Sequence, residues 1–105
     1  MQWYPIVAYF FGSAFFMNAI PHFTNGVSGR RFPTPFASPP GRGLSPPVVN
    51  VLWGSLNLVI AYVLLWVGRF HFRRAQDVVI VGIGGLLMAI MLSRAFADTG
   101  REGGK

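Results

Sequence analysis

Apolar residues along the chain fall into three long stretches, separated by short segments that hold the charged residues. The stretches without Lys, Arg, Asp or Glu are 1–29, 43–68 and 78–93. A helix needs about 20 apolar residues to cross the hydrocarbon core of a bilayer. The pattern therefore predicts an all-α membrane protein, a single domain over 1–105, with three transmembrane helices at about 3–20, 48–67 and 78–97.

The second stretch begins with a serine and two prolines. A serine side chain can accept a hydrogen bond from the first free N–H groups of a helix. Proline suits the first helical turn, because its missing N–H would have no helical partner there. The sequence therefore predicts Ser45 as the N-cap, with Pro46 and Pro47 as the first two helical residues.

A segment rich in proline and glycine, 21–47, connects the first and second predicted helices. It holds seven of the eight prolines of the chain. Connections of this length without regular structure are usually functional or disordered, and prolines restrict the unfolded chain. We expect an ordered cap over the helix ends, whose paired arginines set the topology or bind a phosphate, a lipid head group or an acidic partner. The candidate interaction residues are His22, Arg30, Arg31, Phe36, Pro39, Pro40 and Gly41.

Small residues recur on one face of the second and third stretches. Transmembrane helices associate through close packing of small residues and through interhelical hydrogen bonds, because lipid is as apolar as the helices themselves. The candidate helix-packing residues are Gly54, Asn57, Gly82, Gly85 and Ala89. Asn57 has two interpretations: an interhelical hydrogen bond, or, together with Asn50, one wall of a polar path for a solute.

Composition and charge exclude several classes of protein. Hydrophobic residues make up 52% of the chain and charged residues 11%, with a mean hydropathy of +0.48, whereas a soluble domain is nearer a quarter charged. The lack of cysteine excludes disulfides and thiolate metal sites. The net charge of +6 comes from basic residues that flank apolar helices. Since no nucleic-acid-binding fold accompanies this charge, we expect no nucleic-acid partner.

Two histidines raise the question of a haem or metal site. His22 follows the first predicted helix and His71 the second, so in one protomer they would lie on opposite membrane faces, about 30 Å apart. The three acids lie at or beyond the ends of the third stretch, and none is placed beside a base or nucleophile. The sequence therefore predicts no catalytic residue, cofactor or metal. An enzyme that acts on lipids with His22 as its base stays an alternative.

The distribution of basic residues bears on orientation. Six of the nine Lys and Arg residues lie in the first loop or at the C-terminal end, which includes the basic tail, 98–105, with its Arg101 and Lys105. The other three lie between the second and third helices. Because cytoplasmic loops carry the excess of Lys and Arg, this distribution favours a cytoplasmic C-terminus and an external N-terminus.

One part of the chain, 20–54, resembles a known pattern: IPHFTNGVSGRRFPTPFASPPGRGLSPPVVNVLWG. Its His-Phe pair after a helix, its PFASPPG loop and its N-x-L-W-G start of the next helix resemble a family of small, uncharacterised bacterial inner-membrane proteins. The resemblance implies a location in the bacterial inner membrane, and it brings no reaction or cofactor. The positions that it marks are His22, Gly26, Phe36, Pro39, Pro40, Gly41, Asn50 and Trp53.

Three helices bury little of their surface against one another, and their small-residue faces remain for further contacts within the membrane. The sequence therefore predicts a structural or interaction role, as a homo-oligomer or as an accessory subunit of a larger membrane complex. The expected partners are the lipid bilayer and other membrane subunits or further copies of the chain. The alternative is a transporter or channel-like oligomer that passes a small solute or ion along the Asn50 and Asn57 face.

Overall fold

The computed structural model describes residues 3–97 and contains three α-helices and one short sheet. The elements in chain order are α1 (Trp3–Val27), β1 (Phe32–Pro33), β2 (Leu44–Ser45), α2 (Pro47–Val67) and α3 (Ala75–Ala95). Each of the three helices is long and apolar enough to cross a membrane, since 21 residues span about 32 Å. The three predicted helices are therefore present, and the predicted tail, 98–105, lies outside the described residues.

Helix α1 is seven residues longer than predicted, because Pro21 lies inside it and does not end it. Proline has no N–H group and therefore removes one helical hydrogen bond, but nearby side chains make other hydrogen bonds in the same part of α1. The Thr24 hydroxyl donates to the carbonyl of Ile20 at 2.6 Å, and the Asn25 amide donates to that of Pro21 at 2.7 Å. The connection predicted at 21–47 is therefore reduced to 28–46.

The other helix ends differ less from the prediction. Helix α2 starts at Pro47, with Pro46 rather than Ser45 as its N-cap residue and no side-chain capping bond. Ser45 instead lies in β2, where its hydroxyl is 2.5 Å from that of Thr34. Helix α3 covers 75–95 in place of 78–97.

Helix α1 is the central helix, against which α2 and α3 both pack while making at most slight contact with each other. Helix α2 runs antiparallel to α1, and glycines bring the two backbones together. A Cβ atom on Gly54 would lie 2.8 Å from the backbone nitrogen of Phe23, and one on Gly26 would lie 2.7 Å from that of Val51. Close approach through small residues is a typical way for apolar helices to pack in lipid.

Helix α3 meets α1 at Gly84. A Cβ atom on Gly84 would collide with the hydroxyl of Ser13 and would lie 3.0 Å from the carbonyl oxygen of Phe10. Most of the α3 surface stays uncovered. Only 11% of the most apolar 18-residue stretch of α3 is buried, against 39% of the corresponding stretch of α1. The protomer therefore leaves α3 the most available of the three helices.

The turn between α2 and α3 contains an unusual helix end. The N–H groups of Arg69 and Phe70 donate to the carbonyls of Trp66 and Leu65 at 3.0 and 2.9 Å, which is the Schellman pattern. Its left-handed position, normally glycine, is Arg69, with φ of 60°. The glycine stands one residue earlier, because a Cβ atom on Gly68 would lie 2.7 Å from the Tyr9 ring.

The 28–46 segment folds back on itself through the two short strands. They pair antiparallel, with Phe32 opposite Ser45 and Pro33 opposite Leu44. The turn beyond the strands is held by backbone hydrogen bonds, such as that from the N–H of Gly41 to the carbonyl of Thr34 at 2.8 Å. This arrangement places the backbone of both strands next to the ends of α1 and α2.

Candidate functional sites: a buried polar cluster and an open interhelical groove

A polar cluster centred on Asn50 joins α1, α2 and the 28–46 segment. The Asn50 side chain, 0% exposed, donates from Nδ2 to the carbonyl of Phe32 at 3.0 Å. The same nitrogen reaches the carbonyls of Ser45 and Pro46 at 3.2 and 3.3 Å. Because only an NH₂ group can donate to these carbonyls, the orientation of the amide is fixed. One side chain thus ties two elements and a loop together.

The amide orientation of Asn50 also assigns the protonation of the His22 ring. Its Oδ1 atom accepts, so Nδ1 of His22, at 2.9 Å, is the donor. In the neutral ring, Nε2 is then the acceptor, and no hydrogen-bond partner of Nε2 lies among residues 3–97. His22 is only 2% exposed and lies within α1, so it is a buried helical residue and not the loop residue that the sequence predicts.

Aromatic rings enclose His22 on several sides. The rings of Phe32, Trp53 and Phe96 lie edge-on to the imidazole, with centroids at 5.3, 6.4 and 5.9 Å. Among the described residues, Nε1 of Trp53 is buried without a hydrogen-bond partner. No group of three or more His, Asp or Glu side chains that suits a metal ion occurs in the same part of the chain. The enclosure leaves the imidazole little access to a lipid substrate.

The other six candidate interaction residues are not gathered around His22. Arg30, Arg31, Phe36, Pro39, Pro40 and Gly41 all lie on the exposed surface of the 28–46 segment. The Nε atom of Arg30 donates to the Asn25 side chain at 2.9 Å, which fixes this arginine against the end of α1. The Phe36 ring packs edge-on against Trp53 at 5.2 Å. Six of the seven predicted interaction residues therefore lie on an exposed surface, whereas His22 belongs to the buried polar cluster.

Asn57 takes part in the contact between α1 and α2. Its Oδ1 atom accepts from the Asn18 side chain at 3.1 Å, and its Nδ2 atom donates to the carbonyl of Trp53 at 2.7 Å. Asn57 is 0% exposed, so both of its polar atoms are used inside the protomer. The geometry therefore favours the interhelical hydrogen bond over the solute path for this side chain.

An apolar groove of about 360 Å³ lies between α2 and α3, with α1 as its floor. Its walls include the predicted packing residues Gly82 and Gly85, together with Ser13, Phe16, Met17, Leu65, Phe70, Val81 and Leu86. A Cβ atom on Gly82 would meet nothing within 4 Å, and one on Gly85 would only touch the end of Met17 at 3.5 Å. Gly82 is exposed and faces open space beside α1, whereas Gly85 is buried next to α1 in the wall of the groove. Ala89, one turn beyond Gly85, is half-buried.

Three residues that organise these sites escape the sequence-based search. Gly84 makes the close contact with α1, Asn18 is the partner of Asn57, and Tyr9 donates its hydroxyl to the carbonyl of Gly68. The available signal is the spacing of Asn18 and His22, which are one turn apart on an otherwise apolar helix. It predicts a polar face on α1, to which the asparagines of α2 are the natural partners.

The chain matches no protein-family model, no curated protein and no solved structure. A function has to be inferred from the geometry of these sites. The buried cluster uses both polar atoms of Asn50 internally, whereas the groove has the exposed Gly82 in its wall. The groove is therefore the feature with room for a partner.

Proposed function

We propose that this chain is a multi-pass integral membrane protein with a structural or interaction role, either as a homo-oligomer or as an accessory subunit of a larger membrane complex. Three apolar helices support the membrane location. Large apolar side chains also cover the outside of all three helices, for example Phe11, Phe16, Leu52, Val59, Leu87 and Met91. Such a surface is expected where lipid, and not water, surrounds the protein.

The compartment and orientation form part of the same proposal. The resemblance of 20–54 to small bacterial inner-membrane proteins supports the inner membrane. The six Lys and Arg residues on the side of the first loop and the C-terminus, against three on the other side, support an external N-terminus. In this orientation the 28–46 segment lies at the cytoplasmic surface, and the turn between α2 and α3 lies at the external one.

The observation that carries the interaction role is the open groove with glycine in its wall. Glycines that contact α1 and α2, such as Gly54 and Gly84, are already covered within the protomer. Gly82 is exposed, and it lies where a further helix backbone has room to approach α3 closely, while Gly85 is buried and forms part of the wall of the same groove. Because close packing of small residues is a main source of helix association in lipid, the groove suits a helix of another subunit or of a second copy.

Gly82→Leu is expected to abolish assembly while leaving the protomer folded, and Gly85→Leu, at a buried position where a Cβ atom already contacts Met17 at 3.5 Å, is expected to disrupt assembly as well. A Cβ atom at position 82 would meet nothing within 4 Å, so a leucine side chain there can extend into the groove and occupy the space of a partner helix. Blue-native electrophoresis of gently extracted membranes measures this as a shift from the assembled to the protomer band. The matched control is Val79→Leu, on the exposed surface of the same helix and outside the groove, which should leave migration unchanged.

Unchanged migration of both glycine variants would contradict the role of the groove. Co-purification from native membranes then distinguishes the two forms of assembly. A stoichiometric second polypeptide identifies an accessory subunit, whereas a complex that contains only this chain identifies a homo-oligomer.

A further inference from the structure

A polar cavity of about 570 Å³ lies at the opposite end of the molecule from the 28–46 segment. It opens between the start of α1 and the turn that joins α2 to α3. The residues that surround it include Tyr4, Pro5, Arg69, Arg74, Gln76 and Asp77. The buried ring of Tyr9 also lines it, with its hydroxyl bonded to the carbonyl of Gly68. The cavity therefore combines apolar walls with two guanidinium groups.

Both arginines are held at the cavity by the local fold. Arg69 occupies the left-handed position of the helix end, with φ of 60°. Residues other than glycine adopt this backbone conformation at a cost in free energy. Arg74 lies 3.8 Å from Asp77. The Asp77 carboxylate is buried and also accepts the backbone N–H of His71 at 3.0 Å. The turn is thus fixed before any ligand arrives.

The charges around the cavity favour an anion. The lining residues include two arginines and one aspartate, which together carry a net charge of +1. Arginine presents several N–H donors in a planar fork and forms strong paired hydrogen bonds with phosphate oxygens. Asp77 neutralises part of Arg74, so Arg69 supplies most of the unpaired positive charge.

We propose that this cavity binds the phosphate group of an anionic phospholipid. The inference rests on the proposed membrane location and adds a ligand that the groove does not involve. A soluble phosphate ester shares the same chemistry, but the position of the cavity points to a lipid. It lies at the ends of the apolar helices, and the lining residues Tyr4 and Gly68 are within two positions in the sequence of the exposed Trp3 and Trp66, a residue type typical of the membrane–water interface. Basic pockets between transmembrane helices bind phospholipid head groups on the cytoplasmic side of membranes, and the same pairing of arginine with phosphate applies at the proposed external end of this protein.

Native mass spectrometry of the full-length chain in detergent tests this site. Phosphatidylglycerol and a diacylglycerol with the same acyl chains are titrated, and the affinity of the first bound lipid is measured. We expect the wild type to bind phosphatidylglycerol at least tenfold more tightly than the diacylglycerol. Arg69→Gly is expected to lower the affinity for phosphatidylglycerol about tenfold and so to remove this preference. Because glycine suits the left-handed position, this variant keeps the fold, which a thermal melt checks. Arg73→Ala, in the same turn but outside the cavity lining, should bind like the wild type.

Three results would overturn the proposal. Equal affinities for the two lipids would exclude phosphate recognition, and equal losses in Arg69→Gly and Arg73→Ala would reduce the effect to general surface charge. Displacement of the lipid by glycerol 3-phosphate at equal concentration would identify a soluble phosphate ester as the ligand. If the chain stays in the membrane and assembles but shows one of these results, only the proposed lipid site is contradicted. The proposed function is then unaffected.

Discussion

Asn50→Leu is expected to lower the free energy of unfolding by about 3–5 kcal/mol, more than the other substitutions considered for this chain. The substitution leaves the carbonyl of Phe32 and the Nδ1–H group of His22 without their partner, and each buried polar group that loses its partner costs about 1–3 kcal/mol. It also releases the 28–46 segment from α2. Unfolding of the detergent-solubilised protein, followed by circular dichroism, measures the loss, and limited proteolysis reports the release of the segment.

Asn57→Leu is the matched control, because it removes an equally buried asparagine from the same helix. Its side chain makes one interhelical hydrogen bond, to Asn18, and one bond within its own helix. Interhelical bonds of this kind contribute about 0.6–2 kcal/mol, so the loss should be clearly smaller and the 28–46 segment should stay protected. Equal losses for the two variants would show that Asn50 does not join the segment to the helices.

Gly54→Val is expected to destabilise the protomer by about 3 kcal/mol. The new Cβ atom would lie 2.8 Å from the backbone nitrogen of Phe23 and 3.1 Å from its Cα. Backbone atoms inside a helix cannot move aside as the end of a side chain can, so α1 and α2 have to separate. Overpacking of this kind typically costs 1–3 kcal/mol, occasionally more, and loss of the adjacent contacts adds to it. The same unfolding measurement applies.

Gly82→Val is the control for the intrinsic effect of valine in a helix. It adds the same atoms at a position with no neighbour within 4 Å, so its effect on the isolated protomer should stay within about 0.5 kcal/mol. A comparable loss of stability in both variants would mean that Gly54 does not set the distance between α1 and α2.

The presence of three helices follows from the sequence, because a helix that is long and apolar enough to cross a membrane corresponds to a charge-free stretch of about that length. The end of α1 does not follow from it. Pro21 favours an end to the helix, but His22 and Gly26 are buried in this last part of α1, and packing of these residues offsets the lost hydrogen bond. The prediction of Ser45 as the N-cap is wrong for a related reason, since Ser45 pairs with Phe32 and therefore lies in a strand.

The packing surfaces show a similar limit. Three glycines at 82, 84 and 85 lie within one turn of α3, and each residue is rotated by about 100° from the last. Sequence spacing shows that a small-residue face exists, but not which glycine meets α1 and which remains open. Only the direction in which α3 packs assigns Gly84 to the protomer and Gly82 to the groove. Likewise, Asn50 becomes central only when the 28–46 segment folds back over it.

Cysteine labelling of the full-length chain tests the central claim most directly, because the sequence contains no cysteine of its own. Single cysteines are introduced at Ser28, after α1, at Val59, near the middle of α2, and at Phe72, in the turn before α3. A membrane-impermeant maleimide is applied to sealed membranes and to membranes opened with mild detergent. Val59 is informative, since its side chain is 57% exposed on the protomer and only lipid would shield it from the reagent.

The account predicts that cysteines at 28 and 72 react from opposite sides of the sealed membrane. It also predicts that a cysteine at 59 stays unreactive until the chain is unfolded. Reaction of all three from the same side, or rapid reaction at position 59 in sealed membranes, would contradict a chain that crosses the membrane three times.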